Sequence, residues 1–327
     1  MHIVILAGGV GGSRFVRGVR HAHPEATIDV IVNTADDITL HGMRVCPDLD
    51  TMMYALGDGI DPDRKWGRND EGWRIMDELR TYGVEPTWFA LGDRDVATHI
   101  IRTELMNAGY RLADVTAALC HRWLGPESKI RILPMTEDRV ESHVVVDDPE
   151  APSGRRTMHF QEYWVRHRAE PDALEHLLIG IKETSPAPGV TESIAAADLI
   201  LIAPSNPVVS IGPVLAVPGI RAAIRAAKAP VLGVSGIIGD APVLGMAHRL
   251  LPVIGVEVSA AGVGRHYGHR DSGGLLDGWL VHDTDAGAAE ALTAEGLPTV
   301  ATPLMMDDPA ATARFLAVGE ELVGRRA

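Results

Sequence analysis

Six short runs rich in β-branched and other apolar residues punctuate the chain, at 2–7, 28–32, 198–203, 230–235, 278–282 and 298–302. They are continuous rather than alternating, Asp29 being the one interior charge. A strand of that kind is buried on both faces, which calls for a parallel sheet with helices on either side. Helix-patterned segments follow at 13–21, 218–227, 243–251, 286–294 and 309–323, and this alternation is the signature of a doubly wound, Rossmann-like α/β fold. Between residues 61 and 190 the pattern changes. Helical stretches at 71–82, 93–107 and 112–123 come without intervening strands, then 141–146 and 156–165 read as two strands. The expected organisation is a core of residues 1–60 and 191–327, with 61–190 as a mainly helical insertion over the carboxyl edge of the sheet, where such folds bind ligands.

Charge and cysteine content remove several function classes. The formal net charge of −14 argues against nonspecific nucleic-acid binding and against a polybasic membrane surface. Two distant cysteines, Cys46 and Cys120, give neither a disulfide framework nor zinc-ligand spacing. No apolar run is long enough to span a membrane, and Met1 leads straight into a strand and a glycine loop without a signal-peptide pattern, so the expected location is the cytoplasm.

The chemistry concentrates near the start. Gly8-Gly9-Val10-Gly11-Gly12-Ser13 leaves the first strand and enters a helix. Glycines there let backbone amides approach a phosphate, and the helix N-terminus adds positive potential. The loop lacks the Gly-Lys-Ser/Thr ending of a P-loop. It is too dense in glycine for a dinucleotide fingerprint, and the second strand ends in Asn33-Thr34 rather than an acid, which disfavours a dehydrogenase. Asp36, Asp37, Asp48 and Asp50 follow, carboxylates of the kind that hold Mg²⁺ together with substrate phosphates; Asp48 or Asp50 could instead cap a helix beginning near Thr51.

Later segments offer binding groups with structural alternatives. In 91–95, Arg94 suits a hydroxyl or phosphate, and Asp93 suits a helix cap. Phe160, Glu162 and Trp164 would share one face of a strand, either gripping a flat ring or filling an ordinary core. Ser205, Asn206 and Ser210 follow a strong strand, at the edge where α/β folds place ligands. His266 and His269, three apart and without a companion carboxylate motif, are weak metal candidates.

Taken in order, 7–12, 33–37, 46–51, 91–94, 160–164 and 205–213 resemble the 2-phospho-L-lactate transferase family of coenzyme F(420) biosynthesis, most closely its actinobacterial, phosphoenolpyruvate-transferring branch. The resemblance implies a Mg²⁺-dependent transfer from a guanosine-diphospho donor, carrying an enolpyruvyl or 2-lactyl group, to the deazaflavin FO. GMP leaves and (dehydro-)F(420)-0 forms. By position, it implies that Asp50 and Arg94 are the catalytic, FO-contacting pair, with Thr51, Trp88, Phe160, Glu162 and Trp164 shaping the FO pocket. Gly9, Gly11, Gly12, Arg14, Asn33, Ser205, Asn206 and Ser210 would hold the nucleotide, and Asp36, Asp37, Asp48 and Asp50 the metal. Partners would be small molecules, with a homodimer common for such folds. Two rival readings share the opening loop: a nucleotidylyltransferase, and a non-enzymatic sensor of nucleotide sugars.

Overall fold

All six expected strands form, and a seventh joins them. The computed structural model describes residues 1–324. Within its central sheet the strands are β1 (His2–Ala7), β2 (Thr27–Val32), β3 (Ile130–Pro134), β4 (Leu199–Ile202), β5 (Val231–Val234), β6 (Gly278–Val281) and β7 (Thr299–Ala301). They lie in the order β3-β2-β1-β4-β5-β6-β7, every neighbouring pair parallel. The fold is thus the doubly wound α/β architecture that the pattern required.

Strand β3 corrects the expected division at residue 61. It falls inside the supposed insertion yet pairs along its length with β2, Ile28 opposite Ile130 through Val32 opposite Pro134. Arg131 interrupts its apolar run, which hid it from a search for continuous strands. That arginine sits opposite Asp29 and donates to it through Nε at 2.6 Å, so a buried carboxylate on β2 and an arginine on the edge strand satisfy each other.

The sheet separates two cores. Ile3, Ile5 and Ala7 face one side with Phe15, Val16, Phe315 and Leu316. Val4 and Leu6 face the other with Ile194, Val214, Ile220 and Ile224. On the first side, α1 (Gly9–Ala22) packs closely on the C-terminal helix Pro309–Gly324. A Cβ on Gly18 would lie 2.2 Å from Thr312, so only glycine permits that approach, and Phe15 stacks on Phe315 with centroids 6.2 Å apart.

Helices α2 (Pro47–Leu56), α3 (Arg74–Thr81), α4 (Asp93–Asn107) and α5 (Leu112–Leu124) follow β2. A separate antiparallel sheet orders Arg155–His159, Glu141–Asp147 and Ala173–Ile179, one strand more than expected. The chain leaves this sheet at His159 and coils into a π-helix at Glu162–Arg166, so Phe160, Glu162 and Trp164 do not share a strand face. Among the described residues no single helix is long and apolar enough to cross a membrane. The apolar bent pair Pro207–Ala216 and Ile220–Ala226 instead buries Val208, Val214, Ile220 and Ile224 in the core.

Candidate active site

Because the chain runs outward from β1 through β2 to β3 and returns to β4 on the other side, the crevice of the sheet opens between the carboxyl ends of β1 and β4. Loops from β1, β2, β4, β5 and β7 meet there. Together with α2, α4 and the segment around the π-helix they enclose a cavity of about 910 Å³, ample for a nucleotide and a second small molecule.

One wall is the glycine turn. Gly8 is extended and Gly9 takes a left-handed φ of 63°, after which α1 begins with no side-chain cap and no acid in its first turn. The Gly9 amide reaches Asp48, and the amides after it and the positive helix end are left for an anion. Gly9, Gly11 and Arg14 line the cavity, as expected of phosphate-binding groups. Gly12 does not. A Cβ there would meet Ser205 Oγ at 2.7 Å, so this glycine lets the β4 loop close against α1. Ser205 in turn donates to the Gly8 carbonyl at 2.8 Å. Ser205, Asn206 and Ser210 all line the cavity, and Asn206 caps its own π-helix by accepting from the Val208 and Val209 amides.

The four acids sort into different environments. Helix α2 starts at Pro47, four residues earlier than expected, which puts Asp48 and Asp50 in its first turn. Asp36 and Asp48 both line the cavity. Burial pushes the Asp48 carboxyl up to about 6, against hydrogen bonds from Asn33 and the Gly9 amide. Asp36 lies well above the ordinary carboxylate range, through burial first and then repulsion from Asp48 and Asp37; its Oδ1 is buried with no hydrogen-bond partner. Asp37 departs from the expectation of a metal ligand. It lies outside the cavity lining, held by Arg44 Nη2 at 2.9 Å and by the Cys46 thiol at 3.0 Å. Asn33 likewise does not face the cavity: fully buried, it donates to Asp48 Oδ2 at 3.0 Å and accepts from the Ala35 amide, positioning an acid rather than a nucleotide.

Asp50 lines the cavity but has a strong partner of its own. Arg102 on α4, fully buried, donates Nη1 to Oδ2 at 3.1 Å and Nη2 to Oδ1. His99 Nδ1 stands 3.6 Å from Asp50, and its Nε2 stands 3.4 Å from Asp95. Tyr54 donates to Asp95 at 2.5 Å. Burial alone would raise Asp95, but hydrogen bonds from His99 and Tyr54 override it and hold the carboxyl below its usual value. Asp95, His99 and Arg102 escaped notice in the sequence, although their 0, +4, +7 spacing places them on one face of a helix.

Of the residues expected around a flat ring, Trp88, Phe160, Trp164 and Thr51 line the cavity, and Glu162 does not. Glu162 is tied to Arg156 at 2.8 Å and Arg166 at 3.0 Å, away from the cavity lining. Arg94 also misses it. Half exposed, it faces Asp70 at 3.8 Å. The Gly-Asp-Arg segment is a reciprocal helix clasp. Glu71 accepts from the Arg94 and Asp95 amides at the start of α4, and Asp93 accepts from the Arg74 and Ile75 amides at the start of α3. A Cβ on Gly92 would sit 2.2 Å from the Glu71 carboxyl carbon, so a larger residue would push that side chain out of the clasp. Sequence reasoning also missed Trp66 and Phe89 on the aromatic wall and Leu304–Asp307 after β7. The last of these lie at a carboxyl strand edge, so the rule that selected Ser205 would have found them.

Residues 3–318 match the model of the family described as 2-phospho-L-lactate transferase CofD. The chain is similar to proteins named phosphoenolpyruvate transferase from Nocardia farcinica (53% identical, covering 98% of this chain and 95% of that one) and Streptomyces griseus (55%, covering 98% of each). It is also similar to one of that name from Mycobacterium tuberculosis (49%, covering 99% of each). Among solved structures, a UPF0052-family protein from Bacillus halodurans superimposes with a TM-score of 0.63 at 17% identity over 97% of this chain and 98% of that one, a likeness of fold.

Proposed function

Since this chain belongs to the 2-phospho-L-lactate transferase CofD family and is accordingly a transferase, we propose that it moves a phosphoenolpyruvyl group from a guanosine-diphospho donor to the terminal hydroxyl of FO, in coenzyme F(420) biosynthesis. One observation carries the reading. A single cavity joins an uncapped, glycine-lined helix N-terminus, buried carboxylates and an aromatic wall. Those are the features that a diphosphate, a divalent cation and a flat ring system respectively require. The enolpyruvyl rather than the lactyl group is favoured by the names of the relatives.

In this reading the acceptor oxygen attacks the phosphorus that bears the enolpyruvyl group. The P–O bond to GMP breaks, GMP departs with the bonding electron pair, and the hydroxyl proton is lost. Such transfers depend on alignment and charge neutralisation more than on covalent help from the protein. The Gly11 amide and the Arg14 guanidinium would neutralise the donor phosphates. Trp88, Phe160 and Trp164 would hold the deazaflavin ring so that its side chain reaches the phosphorus.

Residues fit for Mg²⁺ are present. Asp36 presents a buried oxygen without a partner, and Asp36 and Asp48 repel one another without any arginine between them, a strain that a cation relieves. Asp36 and Asp48 would hold the ion, which when bound would neutralise phosphate charge. Asp37 also has a buried oxygen without a partner, Oδ1, but its Oδ2 is held by Arg44 and it lies outside the cavity lining, so it is left out.

Incubating the protein with FO, guanosine-diphospho-enolpyruvate and Mg²⁺ should release GMP and give an FO adduct heavier by the phosphoenolpyruvyl group. Absence of both products refutes the proposal. Release of pyrophosphate from a nucleoside triphosphate and a sugar phosphate would replace it with a nucleotidylyltransferase.

A further inference from the structure

Two kinds of carboxylate border this cavity, and their counter-charges differ. Asp36 has no cationic partner and an unsatisfied Oδ1. Asp50 has a guanidinium across both of its oxygens, from an arginine that is itself 1% exposed. Arg102 is further anchored at Nη1 by the Arg44 carbonyl at 3.3 Å and by His99 Nδ1 at 3.3 Å. The His99 ring spans the gap beyond it, with Nδ1 beside the guanidinium and Nε2 facing Asp95 at 3.4 Å. Tyr54 and Thr98 close the far end of this chain of contacts. The result is a buried line of groups, Tyr54–Asp95–His99–Arg102–Asp50, running from α2 across α4 and back to the first turn of α2.

We infer that Arg102 is a positioning residue that neutralises Asp50 and fixes it to accept a hydrogen bond from an uncharged hydroxyl of the acceptor, so that Asp50 is not a ligand of the cation. A carboxylate oxygen has two lone-pair directions, and Arg102 takes one on each. The other can still receive an O–H. A divalent cation there would stand beside a buried guanidinium that cannot lose its proton, an arrangement of like charges in a low-dielectric site. The sequence resemblance grouped Asp50 with the metal-binding acids. Their partners differ: Asp36 and Asp48 have no arginine beside them, whereas Asp50, although it clusters with Asp95 and His99 as metal-type donors within 4.8 Å, already has both oxygens on Arg102. The acceptor part of this inference rests on the proposed transfer reaction; the cation part does not.

The test uses Arg102→Lys, Asp50→Asn, their double variant and Asp36→Asn in the full chain, with folding checked by thermal melting. Lysine keeps the charge and loses the two-pronged grip. Arg102→Lys should lower kcat by about tenfold or more, the scale of a misplaced positioning group, while KM for the guanosine-diphospho donor stays within about twofold. Adding Arg102→Lys to Asp50→Asn should cost nothing further, because the arginine acts through Asp50. Independently of turnover, Mn²⁺ titrated with GDP should bind Asp50→Asn within about threefold of wild type and Asp36→Asn at least about tenfold more weakly, as befits one non-ligand and one ligand. Loss of Mn²⁺ affinity in Asp50→Asn overturns the inference. So does a full multiplicative loss in the double variant, or a wild-type kcat in Arg102→Lys. Failure of the wild type to turn over FO would refute the proposed function instead, and the Mn²⁺ comparison would still decide the role of Asp50.

Discussion

Asp48→Asn in the metal-free protein should remove a pH dependence of stability that the wild type carries. Burial pushes the folded Asp48 carboxyl from its ordinary value of 3.8 up to about 6. Below the unfolded value both states hold the proton and nothing is lost. Above about 6 both have released it, and the fold carries the full cost of a buried charge; between the two, stability falls as pH rises, because the folded state binds more protons. At about 1.4 kcal/mol per unit, the difference of roughly two units amounts to about 3 kcal/mol. Asp36 and Asp37 are raised in the same direction, and other carboxylates act oppositely. Asp29 and Asp95 are held below their usual values, so their contribution is lost only under more acidic conditions. Comparing wild type with Asp48→Asn cancels the contributions of Asp29 and Asp95, while Asp36, relieved of repulsion from Asp48 in the variant, adds to the difference in the same direction. The assay is thermal melting in EDTA from pH 4 to pH 8. Relative to the variant, wild type should lose several degrees across the window, at a few degrees per kcal/mol for a chain of this size. Mg²⁺ with GDP should restore the wild type at pH 7.5 far more than the variant. Parallel profiles, or a wild type that gains on the variant as pH rises, would refute the reasoning.

Gly8→Ala would put a methyl 2.5 Å from Asp48 Oδ2 and 2.9 Å from Ser210 Cβ; GDP affinity measured by calorimetry should fall by about tenfold or more, with about 1–3 kcal/mol of stability lost to overpacking. Both thiols should resist a thiol reagent until the chain is denatured, since burial pushes Cys46 well above its ordinary value and Cys120 up to about 12; labelling of either in the native protein would contradict their placement. Trp279→Ala empties a fully buried site and strands the Ala260 carbonyl that accepts its indole N–H at 3.1 Å; a loss of about 3–5 kcal/mol in denaturant titration is expected.

The sheet was legible because its strands are buried on both faces, and continuous apolar runs such as residues 198–203 have few other destinations. Where a strand carries a paired charge, as β3 does at Arg131, the pattern breaks although the strand does not. In the site, the glycine turn and the β4 loop could be read from position alone, since both sit at the carboxyl ends of recognisable strands. Roles that depend on which way a side chain points could not. Asp36 and Asp37 are adjacent, yet one faces the cavity and the other faces Arg44. Arg94 and Arg102 lie on one helix, and the arginine beside Asp50 is the second, because the first belongs to the surface near the α3–α4 clasp. Glu162 was misplaced for a different reason: an alternating sequence that suits a strand was drawn instead into a π-helix, where arginines surround the acid.

A crystal structure with GDP and Mn²⁺ bound tests the central claim most directly. Anomalous scattering should locate the metal between Asp36 and Asp48, with donor phosphates seated on the amides that open α1 and with Asp50 still gripped by Arg102. A nucleotide bound elsewhere, or a metal ligated by Asp50 with Asp36 turned aside, would contradict it.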